Sequence, residues 1–332
     1  MPNHDVVAIG ASAGGNHALK SLVRALPADL PAALLVTLHV WPMRESNLAT
    51  ILSGLTDLTV QFGREGDPIR PGNIYVAPPD HHLLAAGPRL MVRRGPRENG
   101  SRPAIDPMLR SVAISFGGRA IGVVLTGNLS DGSAGLQAIK RCGGITVVQD
   151  PTDAEFPEMP RNALALSAAD HVVSLDRMVP LVIKLVQQPA APSPEPPADL
   201  ALEVRIAAQH DAGINLPEQL GERSVLTCPE CSGVLWEIKD GNVTRYRCHV
   251  GHAYSLAKLA EDQMTETDRA LSTALRALDE RVVILRKLAD EAAQSQRDSM
   301  QQQWNQRAAE YQKQAEVIRR ALMRSLDTDR TG

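Results

Sequence analysis

Residues 6–15 of this 332-residue chain read VVAIGASAGG. The opening apolar run, rich in β-branched residues, predicts a buried strand, and the glycines after it predict a tight turn into a helix. Ser12 lies in that turn, where a helix amino terminus offers unpaired N–H groups to an anion. Alone, the pattern suits a serine nucleophile, a glycine-rich phosphate loop or an ordinary helix N-cap. The stretch therefore predicts an α/β fold and leaves the chemistry of the turn open.

The rest of the amino-terminal half alternates short apolar runs with helical periodicity. Runs that are apolar throughout are typical of a parallel sheet covered on both faces. We therefore predict a doubly wound, mostly parallel α/β domain over residues 1–187. Its expected strands are 6–10, 33–39, 73–77, 121–127 and 145–149, and its expected helices are 15–26, 46–55, 106–116, 133–141 and 178–185. Residues 61–100, rich in glycine, proline and arginine, are expected to form a less regular insertion with a hairpin.

Three polar residues follow the carboxyl ends of different predicted strands. Ser12 follows the first strand, His39 ends the second, and Asp131 comes shortly after 121–127. In an open parallel sheet these ends share one rim, where ligands bind. A serine hydroxyl needs a base to take its proton, and the base needs a carboxylate to orient it. We predict that Ser12 is a nucleophile, His39 its base and Asp131 the orienting carboxylate. A structural histidine and a simple Asp-Gly turn are the plainer alternatives.

These motifs, in this order, resemble the chemotaxis protein-glutamate methylesterases, the CheB family. The likeness covers most of residues 4–186. It rests on the turn around Ser12, on His39 with Pro42, and on the segments 71–78, 102–111, 125–132, 149–150 and 159–161.

The resemblance implies a reaction: hydrolysis of γ-glutamyl methyl esters on chemoreceptor helices, which yields glutamate and methanol without a cofactor. Deamidation of receptor glutamines at the same site is an alternative. So are a non-catalytic signalling adaptor and a nucleotide-binding module, although the last lacks an acidic residue where His39 stands. Arg102 and Arg110 are candidates for contacting an acidic receptor surface, or are simply solvated. Typical members carry a receiver domain before the hydrolase, and since this chain starts at the first strand we expect none here.

A cysteine-rich segment follows a linker with five prolines at 188–199. Residues 228–231 read CPEC and residues 248–252 read CHVGH, a spacing typical of a tetrahedral zinc site. We predict Cys228, Cys231 and Cys248 as ligands, with His252 or His249 as the fourth; His252 is preferred because Gly251 lets the chain turn back. Four protein ligands saturate zinc, so the metal is expected to be structural. The module, assigned to 200–254, resembles a zinc ribbon found in some receiver-less relatives.

The remaining residues, 255–332, carry apolar side chains at alternating steps of three and four. This pattern predicts a helical tail, either one long helix or a helical hairpin with a coiled-coil-like seam. The seam is buried within the chain or by pairing between chains. A net charge of −3 and 3% aromatic residues argue against nucleic acid as a partner. The sequence shows neither a signal peptide nor a membrane span, so we expect a soluble, cytoplasmic protein without membrane insertion.

Overall fold

A computed structural model describes residues 2–40, 46–209, 217–241 and 243–328. Pro42, which contributes to the family resemblance, and residues 329–332 of the expected tail lie outside the described residues. The chain divides into two compact units, Met1–Leu259 and Ala260–Gly332. No helix in the described part of the chain combines the length and apolar character needed to cross a membrane.

Seven parallel strands form the central sheet, in the order β3-β4-β2-β1-β7-β8-β9. The strands of the chain are β1 (Val6–Ala11), β2 (Ala33–Leu38), β3 (Thr59–Phe62), β4 (Asn73–Val76), β5 (His82–Ala86), β6 (Arg89–Arg93), β7 (Ala120–Val124), β8 (Ile145–Gln149), β9 (His171–Val173), β10 (Glu222–Thr227), β11 (Val234–Asp240), β12 (Val243–Cys248) and β13 (Ala253–Ser255). All six residues of β1 and of β2 are buried, which is why both read as continuous apolar runs. The predicted parallel α/β sheet is confirmed.

Helices cover both faces of this sheet. The helices of the described chain are α1 (Gly15–Ala25), α2 (Leu48–Ser53), α3 (Ile105–Phe116), α4 (Ser133–Arg141), α5 (Glu158–Ser167), α6 (Leu175–Val186), α7 (Ala198–Ala207), α8 (Leu256–Gln294) and α9 (Asp298–Thr328), and the first six cover the sheet. One core packs α1, α2 and α6 against the sheet, and the other packs α3, α4, α5 and the β5–β6 hairpin. Because β1 has β2 on one side and β7 on the other, it lies in the middle of the sheet, where the winding direction changes.

Three short elements of the sheet domain were not expected from the sequence. The edge strand β3 is partly exposed, and β9 has only three residues, so neither has a long apolar run. Helix α5 was not predicted because it contains Pro160, although proline is tolerated in the first turn of a helix. Helix α6 begins at Leu175, three residues before the predicted start, and contains Pro180.

The cysteine-bearing module, residues 222–255, is an antiparallel sheet of four strands in the order β10-β11-β12-β13. It belongs to the same compact unit as the parallel sheet. The segment leading to it packs on the surface of the sheet domain: Ala190 is buried, and the Gly118 N–H donates to the Ser193 hydroxyl at 2.9 Å.

The helical tail is confirmed as two helices, with a break at 295–297 between α8 and α9. The helices pair in opposite directions, since Arg319 contacts Asp279 while Arg286 donates to Gln312. Small side chains close the seam, with Ala289 and Ala315 each 1% exposed. The tail thus forms a helical hairpin rather than one long helix.

Candidate functional site

Ser12 lies one residue beyond β1, at the carboxyl edge of the sheet. Its N–H donates to the Thr126 carbonyl at 3.0 Å, and its own carbonyl accepts from Gly15 at 2.9 Å. Gly14, with φ of 72°, adopts the left-handed conformation that the turn into α1 requires. A β-carbon on Gly127 would lie 2.8 Å from that of Ser12, so only glycine leaves room for the serine there. The serine backbone is therefore fixed by the loop after β7 and by the first residue of α1.

Ser12, His39 and Asp131 form a continuous line of side chains. The Ser12 Oγ lies 3.0 Å from Nδ1 of His39, and Nε2 of His39 lies 2.7 Å from Oδ2 of Asp131. A carboxylate only accepts hydrogen bonds, so the imidazole proton belongs on Nε2, and Nδ1 is free to accept from the serine hydroxyl. The two ring nitrogens thus exchange the roles they have in chymotrypsin, where Nε2 faces the serine.

Asp131 is 2% exposed and is surrounded by hydrogen-bond donors. Besides His39, its oxygens accept from the N–H groups of Ile105 at 2.7 Å, Asp106 at 3.1 Å and Gly132 at 3.0 Å. Burial disfavours its charge, but the hydrogen bond and charge of His39 and the N–H groups of residues 105 and 106 lower its pKa to about 2. Asp131 is therefore a fixed negative charge behind the imidazole.

A second buried carboxyl, Asp106, lies beside Asp131 and was not predicted as part of the site. Its Oδ1 accepts from Gly132 at 2.9 Å and from Gly135 at 2.7 Å, at the start of α4. Burial and the neighbouring charge of Asp131 raise the pKa of Asp106 to about 7. Two signals in the sequence mark it: it lies in the segment 102–111 that carries the family resemblance, and in the first turn of α3, a place that favours acidic residues.

A cavity of about 700 Å³ opens in front of Ser12. Its rim is basic, with Arg94 67% exposed. Burial would raise the pKa of Asp80, but hydrogen bonds and charge from Arg102, together with Arg94, lower it. The residues lining the cavity are Ser12, Ala13, His39, Val40, Asp80, Arg94, Arg97, Gly100, Ser101 and Arg102. No described residue accepts a hydrogen bond from the Ala13 N–H, at the amino end of α1.

The two arginines considered for receptor contact differ in the structure. Arg102 lines this cavity, where it donates to Asp80 and to the Gly95 carbonyl. Arg110 is completely buried and forms an ion pair with Glu98 at 2.5 Å. The hypothesis that Arg110 contacts a receptor surface was therefore wrong, because helix α3 directs it into the interior.

Cys228, Cys231, Cys248 and His252 lie together in the cysteine-bearing module, with their potential ligand atoms all within 4.8 Å of one another. The Cys231 and Cys248 sulfurs are 3.5 Å apart, and Nδ1 of His252 is 3.6 Å from Sγ of Cys228 and from Sγ of Cys248. A tetrahedral ion with sulfur ligands at about 2.3 Å would hold them roughly 3.7 Å apart. The residues therefore have the spacing to hold one metal ion. The His249 ring instead packs against Gly233.

A serine, an imidazole and a carboxylate in line at the carboxyl edge of a parallel sheet are typical of serine hydrolases built on an α/β domain. The comparison with known families agrees. The CheB methylesterase family model matches residues 7–182, and the chain belongs to this family. The cysteine-bearing module and the helical tail lie outside the matched range.

Individual relatives agree with this assignment. A putative protein-glutamate methylesterase/protein-glutamine glutaminase of Leptospira interrogans is 37% identical over 186 residues, which are 56% of this chain and 96% of the relative. A protein-glutamate methylesterase/protein-glutamine glutaminase of Burkholderia lata is 41% identical over 186 residues, and there the match spans only 55% of the relative. The crystal structure of the Thermotoga maritima CheB methylesterase catalytic domain matches with a TM-score of 0.53 and 30% identity, covering 55% of this chain and all of that one.

Proposed function

We propose that this chain is a protein-glutamate methylesterase that hydrolyses glutamyl methyl esters on chemoreceptors through Ser12, His39 and Asp131. The observation that carries the proposal is the unbroken line from the serine hydroxyl through the imidazole to a buried carboxylate, on a domain of the CheB methylesterase family. A cytoplasmic location, where the signalling helices of such receptors would be met, remains part of this proposal.

The geometry supports a two-stage acyl transfer. The Ser12 oxygen attacks the ester carbonyl carbon while Nδ1 of His39 takes its proton, and Asp131 stabilises the imidazolium that forms. The negative oxygen of the tetrahedral intermediate can accept from the Ala13 N–H. His39 then gives the proton to the departing methoxide, which leaves as methanol. A water molecule, activated by His39, then hydrolyses the serine ester without a cofactor. This step restores Ser12 and leaves a glutamate side chain on the receptor.

Deamidation is the second candidate activity, because both relatives named above carry it in their names. A glutamine side chain would pass through the same serine ester and release ammonia in place of methanol. The cavity also suggests the substrate class: its arginines, Arg94 and Arg97, would favour a helix with acidic residues beside the ester.

The proposal is tested on a purified receptor fragment that carries both glutamyl methyl esters and glutamines. In ¹⁸O-labelled water, mass spectrometry identifies each side chain converted to a labelled carboxylate. We expect labelling at the ester positions, and labelling at glutamines would add the second activity. Absence of labelling at both would overturn the proposal.

Zinc is our proposal for the metal held by Cys228, Cys231, Cys248 and His252. Three thiolates and an imidazole suit Zn²⁺, and four protein ligands would leave it no open position. Glu230 supports this reading, since its Oε2 lies 3.4 Å from the outer nitrogen of His252, as carboxylates do behind metal-bound histidines. The metal would hold the module together, and no catalytic step passes through it.

Elemental analysis of the purified chain tests the metal site. We expect one zinc per chain, lost in Cys231→Ser and retained in Cys142→Ser, which removes a buried thiol of the other domain. Equal zinc content in the two variants would contradict the assignment.

The domain boundaries after residues 187, 199 and 254, which separate the α/β domain, the linker, the module and the helical tail, remain part of the proposal.

A further inference from the structure

Asn99 touches both the Asp131 carboxylate and the cysteine-bearing module. Its side-chain amide donates to Oδ1 of Asp131 at 3.1 Å and to Oδ2 of Asp106 at 3.2 Å. Its side-chain oxygen accepts from the Ser255 N–H at 2.9 Å, and its own N–H donates to the Ala253 carbonyl at 2.7 Å. One side chain therefore bridges the last strand of the module, β13, and two buried carboxyls of the hydrolase domain.

Glu98, the residue before Asn99, is bound both by the α/β domain and by the cysteine-bearing module. Glu98, 1% exposed, pairs with Arg110 of α3 at 2.5 Å and with Arg247 of β12 at 3.0 Å. Arg247 also pairs with Glu203 of α7 at 3.0 Å, and Arg245 binds the same carboxylate through both of its terminal nitrogens. Buried, multiply bonded charges of this kind have few alternative arrangements. The backbone at Glu98 and Asn99 is thus fixed by the module.

The local backbone also gives asparagine a specific advantage. Asn99 has a φ of 51°, in the left-handed region that asparagine and glycine adopt more readily than other residues. In this conformation its amide reaches Asp131 while its backbone pairs with β13. Without the module, the Asn99 N–H would lose the Ala253 carbonyl and the Asn99 side-chain oxygen would lose the Ser255 N–H, so the amide would no longer be held against the carboxylate.

We propose that Asn99 is a positioning residue that couples the cysteine-bearing module to Asp131, so that the folded module is needed to hold the catalytic carboxylate in place. The inference rests on the proposed function. It assigns the module a role in the active site of its own chain: β13 sets Asn99, Asn99 sets Asp131, and Asp131 orients His39.

The full-length chain tests the proposal with two substitutions at Asn99. Asn99→Gly removes the amide while keeping a residue suited to positive φ. Asn99→Asp keeps the acceptor for the Ser255 N–H but replaces the donor to Asp131 with a carboxylate. The control is Asn73→Asp, because the Asn73 amide donates only to the carbonyls of Arg70 and Pro71, away from the site. We expect both Asn99 variants to lose about 10²-fold in kcat for methyl ester hydrolysis with KM unchanged, as misplaced catalytic groups do.

A second measurement does not depend on activity. The N–H groups of Ile105, Asp106 and Gly132 all donate to Asp131, and their hydrogen exchange reports whether that carboxylate is held. We expect faster exchange at these amides in Asn99→Gly and in Cys248→Ser, which weakens the module. When Asn99→Gly and Cys248→Ser are combined, the fold loss of kcat should be much smaller than the product of the two single fold losses. The reason is that both substitutions act through the contact between Asn99 and Asp131.

The outcomes separate this inference from the proposed function. If the wild type hydrolyses the ester and Asn99→Gly matches the control in kcat and in exchange, the coupling is wrong and the esterase stands. If the wild type hydrolyses no ester, the proposed function fails. The exchange rates then still decide the coupling: faster exchange in Asn99→Gly and Cys248→Ser supports it, and unchanged exchange overturns it.

Discussion

Asp131 and Asp106 show how two neighbouring aspartates come to have different pKa values. Asp131 is surrounded by His39, backbone N–H groups and the Asn99 amide, all of which favour its ionised form. Asp106 faces that charge inside the protein, so its proton is held more tightly. The carboxylate behind the His39 imidazole is thereby kept ionised.

The raised pKa of Asp106 predicts a pH dependence of stability. The folded state holds this proton up to about pH 7, whereas the unfolded chain releases it near 3.8. The contribution of Asp106 to stability is therefore complete below pH 3.8 and is lost as the pH rises towards 7, by at most about 1.4 kcal/mol per pH unit. In Asp106→Asn, urea unfolding should show a smaller loss of stability between pH 5 and pH 8 than in the wild type.

The surface variant Asp29→Asn is the control for this measurement and should keep the wild-type slope. Equal slopes in the wild type and in Asp106→Asn would contradict the tighter proton binding at Asp106.

The sequence predicted Ser12, His39 and Asp131 because the signal for each is the apolar strand just before it. Ser12 and His39 directly follow apolar strands, and Asp131 follows a third, so the rim of a parallel sheet brings them together. The roles of Asn99 and Asp106 depend on Ser255 and Gly135, which are distant in sequence, and no periodicity reports such contacts. Arg110 was misjudged for the same reason, since its carboxylate partners Glu98 and Glu203 come from the segment before α3 and from α7.

Among the elements, α7 and β12 determine how the module attaches to the sheet domain. Glu203 of α7 binds three arginines, two of them from β12 and one from α3. Burial opposes the charge of Glu203, but Arg245, Arg110 and Arg247 hold its pKa well below the ordinary value. The sequence showed β12 only through Cys248 and did not indicate α7, because its helical pattern is short and follows prolines.

Glu203→Ala should destabilise the larger unit strongly. The variant leaves Arg245 buried without its main partner, and breaking a buried ion pair costs about 3–5 kcal/mol. Urea unfolding of the full chain measures this cost, with Glu195→Ala in the exposed proline-rich segment as the control. A loss of stability no greater than in Glu195→Ala would show that the ion pairs of Glu203 do not hold the module on the sheet domain.

At the scale of the whole molecule, the boundary between compact units falls after the module rather than before it. The parallel sheet and the antiparallel sheet share the unit Met1–Leu259, while the helical hairpin forms the unit Ala260–Gly332. The composition of 188–199 predicted a separating linker, yet the chain beyond it packs back on the first domain. Composition indicates where a chain lacks core residues, but not where the next segment binds.

This arrangement predicts that only one of two truncations lowers kcat. A chain of residues 1–259 keeps the module and should retain the kcat of the full chain for ester hydrolysis. A chain of residues 1–187 loses Glu203, one of the two partners of Arg110, and the β13 partners of Asn99. Its kcat should fall, with faster proteolysis. Equal kcat values for the two truncations would contradict a structural role of the module in the hydrolase.

The most direct test of the central claim is methanol release from a methylated chemoreceptor fragment by the wild type, Ser12→Ala and Ser53→Ala. Ser53 donates its hydroxyl to the Thr50 carbonyl on the surface and serves as the matched control. We predict release by the wild type and by Ser53→Ala, and a rate more than about 10⁴-fold lower in Ser12→Ala, as expected on loss of a serine nucleophile. Methanol release by Ser12→Ala at the wild-type rate would contradict the assignment of Ser12 as the nucleophile.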